Sequence, residues 1–312
     1  SYRLVGSEMC IRDSAYTADI RDIRFVLFEQ LDITGSLSKF EAHAELDNDL
    51  CDSMIDEAYR IAQEVLDPAN KNSDRQGCRF DGEGNVTTPD GFKEAWDLMS
   101  TGGWFALNAP MEYGGMGMPH ALASGVGELF TAACMSFALY PGLTRAAANL
   151  LVQFGADSYR SLVCEKMFTG QWAGTMCLTE PGAGSAVGDN RTKATPAEDG
   201  AWLIEGEKIF ISSGDHDLTE NIIHLVLART PGAPSGTKGL SLFLVPKFNF
   251  DEDGTIGERN GAFVSGIEEK MGLHGSATCS LVFGANQPCK GYLIGEECQG
   301  CLLYTSPSPR DG

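Results

Sequence analysis

Apolar residues in the first half of the chain recur every three or four positions. Ile20, Ile23, Leu27 and Leu31 form one stripe, and Leu46, Leu50, Met54, Ala58, Ile61 and Val65 a longer one, with charges between them. That period belongs to amphipathic helices with one buried face. Pro68 and the polar run to Thr88 predict a loop, after which Pro89 and Asp90 open a helix through Phe92, Trp96 and Met99 that Gly102-Gly103 closes. The almost uncharged stretch from Ala121 to Tyr140 predicts a helix buried on most sides and stopped by Pro141-Gly142, with two more helices over 145–153 and 158–168. From Trp172 the texture changes to short β-branched and aromatic runs separated by turns: 172–179, 191–194, 202–212, 222–229, 240–245, 278–283 and 291–294. Strands at this spacing without intervening helices predict an antiparallel barrel or sandwich. The expected fold class is therefore α+β: an N-terminal all-α domain over 15–170, then a β-barrel domain over 171–300.

Composition narrows the function classes. The 312 residues carry Lys+Arg 23 against Asp+Glu 43, a net charge of −20 whose field repels nucleic acids and anionic membranes, and no basic cluster offsets it. The least charged stretch, 129–140, is too short to span a bilayer. Ten cysteines scattered through a chain of this size predict free, mostly buried thiols in a reducing cytoplasm. Residues 1–14 lack the apolar core of a secretory signal. These residues and 301–312 match neither flanking periodicity and resemble translated sequencing-adapter extensions, so they are set aside from the fold. Cys298-Gln299-Gly300-Cys301 forms a lone CxxC with no second pair, and no metal site is expected.

The segment Met176-Cys177-Leu178-Thr179-Glu180-Pro181-Gly182-Ala183-Gly184-Ser185 carries the most chemical information. A strand runs into a turn whose glycines let a ligand approach the backbone, and such a strand end can offer N–H and hydroxyl donors. From the residues alone, an ordinary Pro-Gly turn fits equally well. Gly182, Gly184 and Gly188 also space as a nucleotide loop, but a dinucleotide-binding loop must open a helix within a βαβ unit, and the residues that follow read as strand. His216, His224 and His274 have no nucleophile partner in sequence and are expected to be structural.

With these residues in view, the chain resembles the acyl-CoA dehydrogenase family, whose flavin motif ends TEPGAGSD. Three further segments agree: Pro110-Met111-Glu112-Tyr113-Gly114-Gly115-Met116-Gly117, Lys208-Ile209-Phe210-Ile211-Ser212-Ser213-Gly214 at the family's KxWITNG, and Lys270 to Thr278. The resemblance covers about 15–300 and leans toward the longer bacterial branch, which includes enzymes acting on 3-methylthiopropanoyl-CoA. It implies FAD as cofactor, acyl-CoA as substrate, an electron-transfer flavoprotein as acceptor and a homo-oligomer. Met176, Cys177, Leu178, Thr179, Gly182, Gly184 and Ser185 would then lie along FAD, with Thr179 bonding the isoalloxazine and Ser185 near phosphates of CoA or FAD. Phe210, Ile211 and Ser212 would form a second wall, with Ser212 reaching toward flavin N5.

Two departures qualify the resemblance. Ala186 stands where the family has Asp, which removes a carboxylate from the phosphate side of the loop. The family's catalytic Glu lies in a C-terminal helical bundle, and the chain is expected to stop before it. No acid present, including Glu180, Glu205 and Glu207, matches that base, and acids on strand edges are expected to be solvated. No catalytic residue is therefore assigned. An acyl-CoA oxidase, or a non-catalytic acyl-CoA or protein-binding module on the same scaffold, are the competing functions.

Overall fold

The computed structural model describes residues 15–301, so residues 1–14 and 302–312 of the two adapter-like ends lie outside the described residues. The first half is helical: α1 (Ile20–Arg24), α2 (Ile33–Leu37), α3 (Asn48–Ile61), α4 (Asp67–Gln76), α5 (Phe92–Thr101), α6 (His120–Ala133), α7 (Met135–Phe154) and α8 (Asp157–Phe168). The Asp47 side chain accepts from Leu50 N at 2.7 Å and caps α3. Its buried face is Cys51, Ile55, Ala58 and Ile61, rotated from the expected stripe, since Leu50 is exposed.

Two expectations in this half are corrected. The stretch expected to loop from Pro68 to Thr88 begins as α4, which continues from α3 without a break through a π-helical turn at Ala62–Leu66, and the widened turn is what accommodates Pro68. A two-stranded hairpin follows, β1 (Arg79–Phe80) with β2 (Val86–Thr87). Pro141 does not stop a helix either: the break falls at Cys134 (φ −151°), and Pro141 lies inside α7. Burial of Phe137, Tyr140, Thr144, Ala147 and Leu151 along α7 outweighs the cost of a proline there, about 3 kcal/mol.

The second half is a mostly antiparallel sheet of eight strands. They are β3 (Trp172–Cys177), β4 (Lys193–Pro196), β5 (Trp202–Ser212), β6 (Asn221–Arg229), β7 (Leu240–Pro246), β10 (Ala262–Glu268), β11 (Thr278–Phe283) and β12 (Lys290–Ile294). The main path runs β10-β11-β5-β12-β7-β6-β3, and β4 pairs with both β5 and β6, so β5, β12, β7, β6 and β4 close into a small barrel. A separate hairpin joins β8 (Phe248–Phe250) and β9 (Ile256–Arg259). One pairing departs from the antiparallel expectation: β3 runs parallel to β6, with Trp172 opposite Asn221 and Cys177 opposite Val226. Both strands are buried almost throughout, the usual condition for parallel pairing.

Helix α7 lies directly on β3. A Cβ at Gly174 would stand 2.9 Å from Ala147 Cβ and 2.4 Å from Met167 Cε, so only glycine permits this approach. The backbone N–H of Gly174 donates to Thr144 Oγ1 at 3.1 Å. Tyr140 adds a second tie, donating to the Gly275 carbonyl and accepting from Ala277 N, both at 2.9 Å. The β1–β2 hairpin is held to the sheet by Asp215, which accepts from Val86 N at 2.8 Å.

Candidate functional site

The two segments singled out in the sequence meet in the fold. Leaving β3, the chain passes Leu178 and Thr179 beside β5, and Ile209 N donates to the Thr179 carbonyl at 2.9 Å. Beneath them lies a fully buried ion pair: Lys208 Nζ donates to Glu180 Oε1 at 2.8 Å and to the Leu178 carbonyl at 3.0 Å. Glu180 also accepts from Arg191 N, Thr192 N and Thr192 Oγ1. Burial acts to raise the Glu180 pKa, but these donors together hold it below the ordinary carboxylate value. Burial also lowers the Lys208 pKa, against the opposing pull of Glu180. The expectation of a solvated Glu180 is corrected: it is 6% exposed and fastens the loop. Glu205 and Glu207, on the same β5, are exposed.

Strand β5 carries a bulge at this point. Ile211 pairs with Cys279 and Lys208 with Leu281, so Ile209 and Phe210 together face Ser280. A bulge of this kind turns a side chain out of alternation. Phe210 adopts φ 58° and is 49% exposed, with Lys270 Nζ 4.6 Å from its ring centroid. Positive φ is unusual for a bulky residue and is a sign of local strain. The parity change is what lets both Lys208 and Ile211 point inward.

The other expected residues divide by burial. Ser185, Gly182 and Gly184 are exposed, and Thr179, Leu178, Met176 and Ser212 are half-buried. No atom lies within 4 Å of a Cβ built on Gly182, and only Thr179 Cγ2, at 3.9 Å, approaches one on Gly184, so the turn has open space beside it. Among the described residues, the hydroxyls of Thr179, Ser185 and Ser212 make no protein hydrogen bond, nor does the Thr179 N–H. Cys177 and Ile211 instead lie in the core, Cys177 with Sγ 3.3 Å from Thr175 Oγ1. Burial pushes the Cys177 thiol up to about 12, so it is no thiolate at neutral pH. The nucleotide-loop spacing leads into a short turn, Val187–Asp189, and then β4 rather than a helix. Gly188 there serves packing, since a Cβ would stand 2.9 Å from Thr237 N.

The sequence reading missed the Lys208–Glu180 pair and Asn190. Asn190 is buried, and its Nδ2 donates to the Leu178 carbonyl at 2.8 Å. Lys208 follows Glu205 and Glu207 on the same strand, so nothing in the sequence set it apart from a surface charge. His216 and His224 are buried, and desolvation pushes both pKa values down to about 3. His216 packs on Tyr140 at 5.1 Å between ring centroids, and His224 Nδ1 lies 2.8 Å from Thr175 Oγ1. His274 is partly exposed near Asp74 and Glu269. Among the described residues, no three His, Cys, Asp or Glu side chains gather where a metal ion could be held, and Cys51, Cys134, Cys164, Cys177, Cys279 and Cys289 are buried thiols outside any disulfide.

The helical domain beside a small, mostly antiparallel barrel is a fold shared with solved acyl-CoA dehydrogenases. The solved butyryl-CoA dehydrogenase of Megasphaera elsdenii superposes with a TM-score of 0.64 at 25% identity, over 82% of this chain and 61% of that one. The profile of the acyl-CoA dehydrogenase N-terminal domain matches residues 50–171, and that of the acyl-CoA dehydrogenase middle domain residues 175–285. The chain belongs to the acyl-CoA dehydrogenase family. It is 40% identical over 285 residues to the 3-methylmercaptopropionyl-CoA dehydrogenase of Ruegeria pomeroyi, covering 91% of this chain and 48% of that protein. It is likewise 40% identical to a butyryl-CoA dehydrogenase of Syntrophomonas wolfei, over 90% of this chain and 46% of that protein. The chain thus spans about half the length of the curated relatives it matches. Among the described residues, no C-terminal helical bundle follows the barrel, and no helix is long and apolar enough to cross a membrane.

Proposed function

We propose that this chain forms the flavin- and acyl-CoA-binding part of an FAD-dependent acyl-CoA dehydrogenase. FAD, when bound, supplies the acceptor for the β hydride of the acyl thioester. The observation that carries the reading is the convergence of the Thr179 strand end and the Phe210–Ser212 wall around unspent donors: the Thr179 N–H and hydroxyl and the Ser212 hydroxyl. A flat ring that gains charge on reduction needs fixed donors at its edge and a wall that excludes water, and these residues have the chemistry for both. Gly182 and Gly184 leave room for a ligand against the backbone, and Ser185 adds a hydroxyl on the same loop.

Among the described residues we assign abstraction of the α proton to no acid. Glu180 is held by a full set of partners, and Glu205 and Glu207 are strand-surface carboxylates. The acyl group in this reading is a short or medium chain, with 3-methylthiopropanoyl-CoA as a candidate because of the Ruegeria relative. The reading extends to a cytoplasmic homo-oligomer that passes electrons to an electron-transfer flavoprotein. Peroxide formation by the loaded protein under oxygen would identify an oxidase instead.

The direct test is reconstitution. Purified protein mixed with FAD and desalted is expected to retain a yellow flavin spectrum, and Thr179→Val or Ser212→Ala to loosen flavin binding by about ten-fold, the worth of one hydrogen bond or slightly more. Wild-type protein that stays colourless overturns the reading.

A further inference from the structure

We infer that Lys208, with Glu180 and Asn190, is a positioning device that aims the Leu178–Thr179 peptide at the flavin slot; this rests on the proposed flavin reading. The Leu178 carbonyl is capped from the buried side by two donors, Lys208 Nζ at 3.0 Å and Asn190 Nδ2 at 2.8 Å. A trans peptide is planar, with its C=O and N–H pointing in opposite directions. Fixing the Leu178 oxygen toward Lys208 therefore sends the Thr179 N–H away from the core, and that N–H has no protein partner among the described residues.

The next peptide is fixed too, because the Thr179 carbonyl accepts from Ile209 N at 2.9 Å. Lys208 and Ile209 are adjacent on β5, so one strand holds two successive carbonyls of the loop. Glu180 supplies the countercharge that lets a lysine with no solvent exposure remain in place. Through Arg191 N and Thr192 the same carboxylate anchors the far end of the loop, 2.6 to 3.0 Å away. The donor for the ligand is thus aligned before any ligand arrives, which removes the ordering cost from binding.

The test separates aiming from mere stability. In the 312-residue chain, Lys208→Met leaves the Glu180 charge buried without its partner, so apoprotein stability and FAD affinity should both fall. The double variant Glu180→Gln/Lys208→Met leaves no unpaired buried charge, so its apoprotein should melt well above Lys208→Met, though below wild type because the introduced amide nitrogen cannot accept from Arg191 N as the carboxylate does. Its Leu178 carbonyl still lacks the lysine cap, so FAD binding, followed by quenching of flavin fluorescence, should remain at least about ten-fold weaker than wild type. The visible circular dichroism of bound flavin should change as well. If the double variant recovers FAD affinity together with melting temperature, the pair is structural only and the inference falls. If wild-type protein binds no FAD, the flavin reading fails and takes the inference with it; tight wild-type binding alongside an equally tight double variant overturns the inference alone.

Discussion

Ser213, in the turn that follows β5, shows what local backbone strain costs at single-residue scale. It sits at φ 57°, fully buried, and its hydroxyl has no hydrogen-bond partner. A left-handed conformation is unfavourable for a side-chain-bearing residue, and a buried orphan hydroxyl adds a desolvation cost. Ser213→Gly relieves both while increasing the freedom of the unfolded chain. The net expectation is a stabilisation of about 1 kcal/mol, seen as a higher midpoint in urea unfolding at unchanged slope. A lower midpoint would mean that the hydroxyl is hydrogen-bonded in the folded state. Phe210, three residues earlier at φ 58°, bears the same kind of strain but is half-exposed beside the loop proposed to hold flavin. Neither position could be recognised in the sequence, because strand propensity is blind to where a bulge falls and to which residue the following turn puts at positive φ.

At the scale of elements, α7 and its neighbour α6 carry glycines in helix interiors. Gly142 of α7 and Gly127 of α6 line a cavity of about 70 Å³ together with Trp104, Phe130, Phe137 and Arg145. Nothing lies within 4 Å of a Cβ built at either glycine. Gly142→Ala should therefore stabilise the protein by 0.5 to 1 kcal/mol, roughly the helix-propensity difference, as read by thermal melting. An unchanged or lower melting temperature would show that the helix around Pro141 is already bent away from the geometry alanine favours. The helical pattern was legible here because twenty positions, 121–140, carry a single charge, Glu128, but its break at Cys134 was not. No glycine or proline marks Cys134, whereas Pro141, which looked like the stop, is overridden by the buried residues on either side. The pairing of β3 with β6 was hidden for a similar reason. A fully apolar strand fits either direction, and the connection through β4 and β5 chose the parallel one.

For the whole molecule, the seam between helices and barrel makes stability depend on pH. His216 lies between Trp96 and Tyr140, His224 beside Thr175, and burial pushes both down to about 3 from an ordinary value of 6.5. The folded state refuses protons that the unfolded chain accepts. Stability is thus complete above pH 6.5 and declines as pH falls toward 3, by up to about 1.4 kcal/mol per unit for each histidine. Between pH 7 and 5.5, a range that most carboxylates do not titrate, unfolding free energy should fall by about 2 kcal/mol. Urea titrations at the two values check this, and His216→Gln should lose about half of the slope. A flat profile would mean that one or both rings are accessible to protons in the folded state. Glu180 and Lys208 add nothing to that window as long as both remain charged and paired.

The amino-acid order by itself determined the class of the molecule. Helical periodicity gave way to strand texture near Gly170, the TEPGAGS and KIFISSG segments marked where a ligand would lie, and an acidic composition set the field around it. Those are local properties, carried by short spacings and by residue chemistry. Tertiary structure decided which of the marked residues are open to a ligand and which are core. Cys177 and Ile211 went into the core, while Phe210 turned out through a bulge. It also paired Lys208 with Glu180 across 28 positions of chain. A buried ion pair is visible only after folding has removed both partners from water, because in the sequence each reads as one more charged residue on a surface.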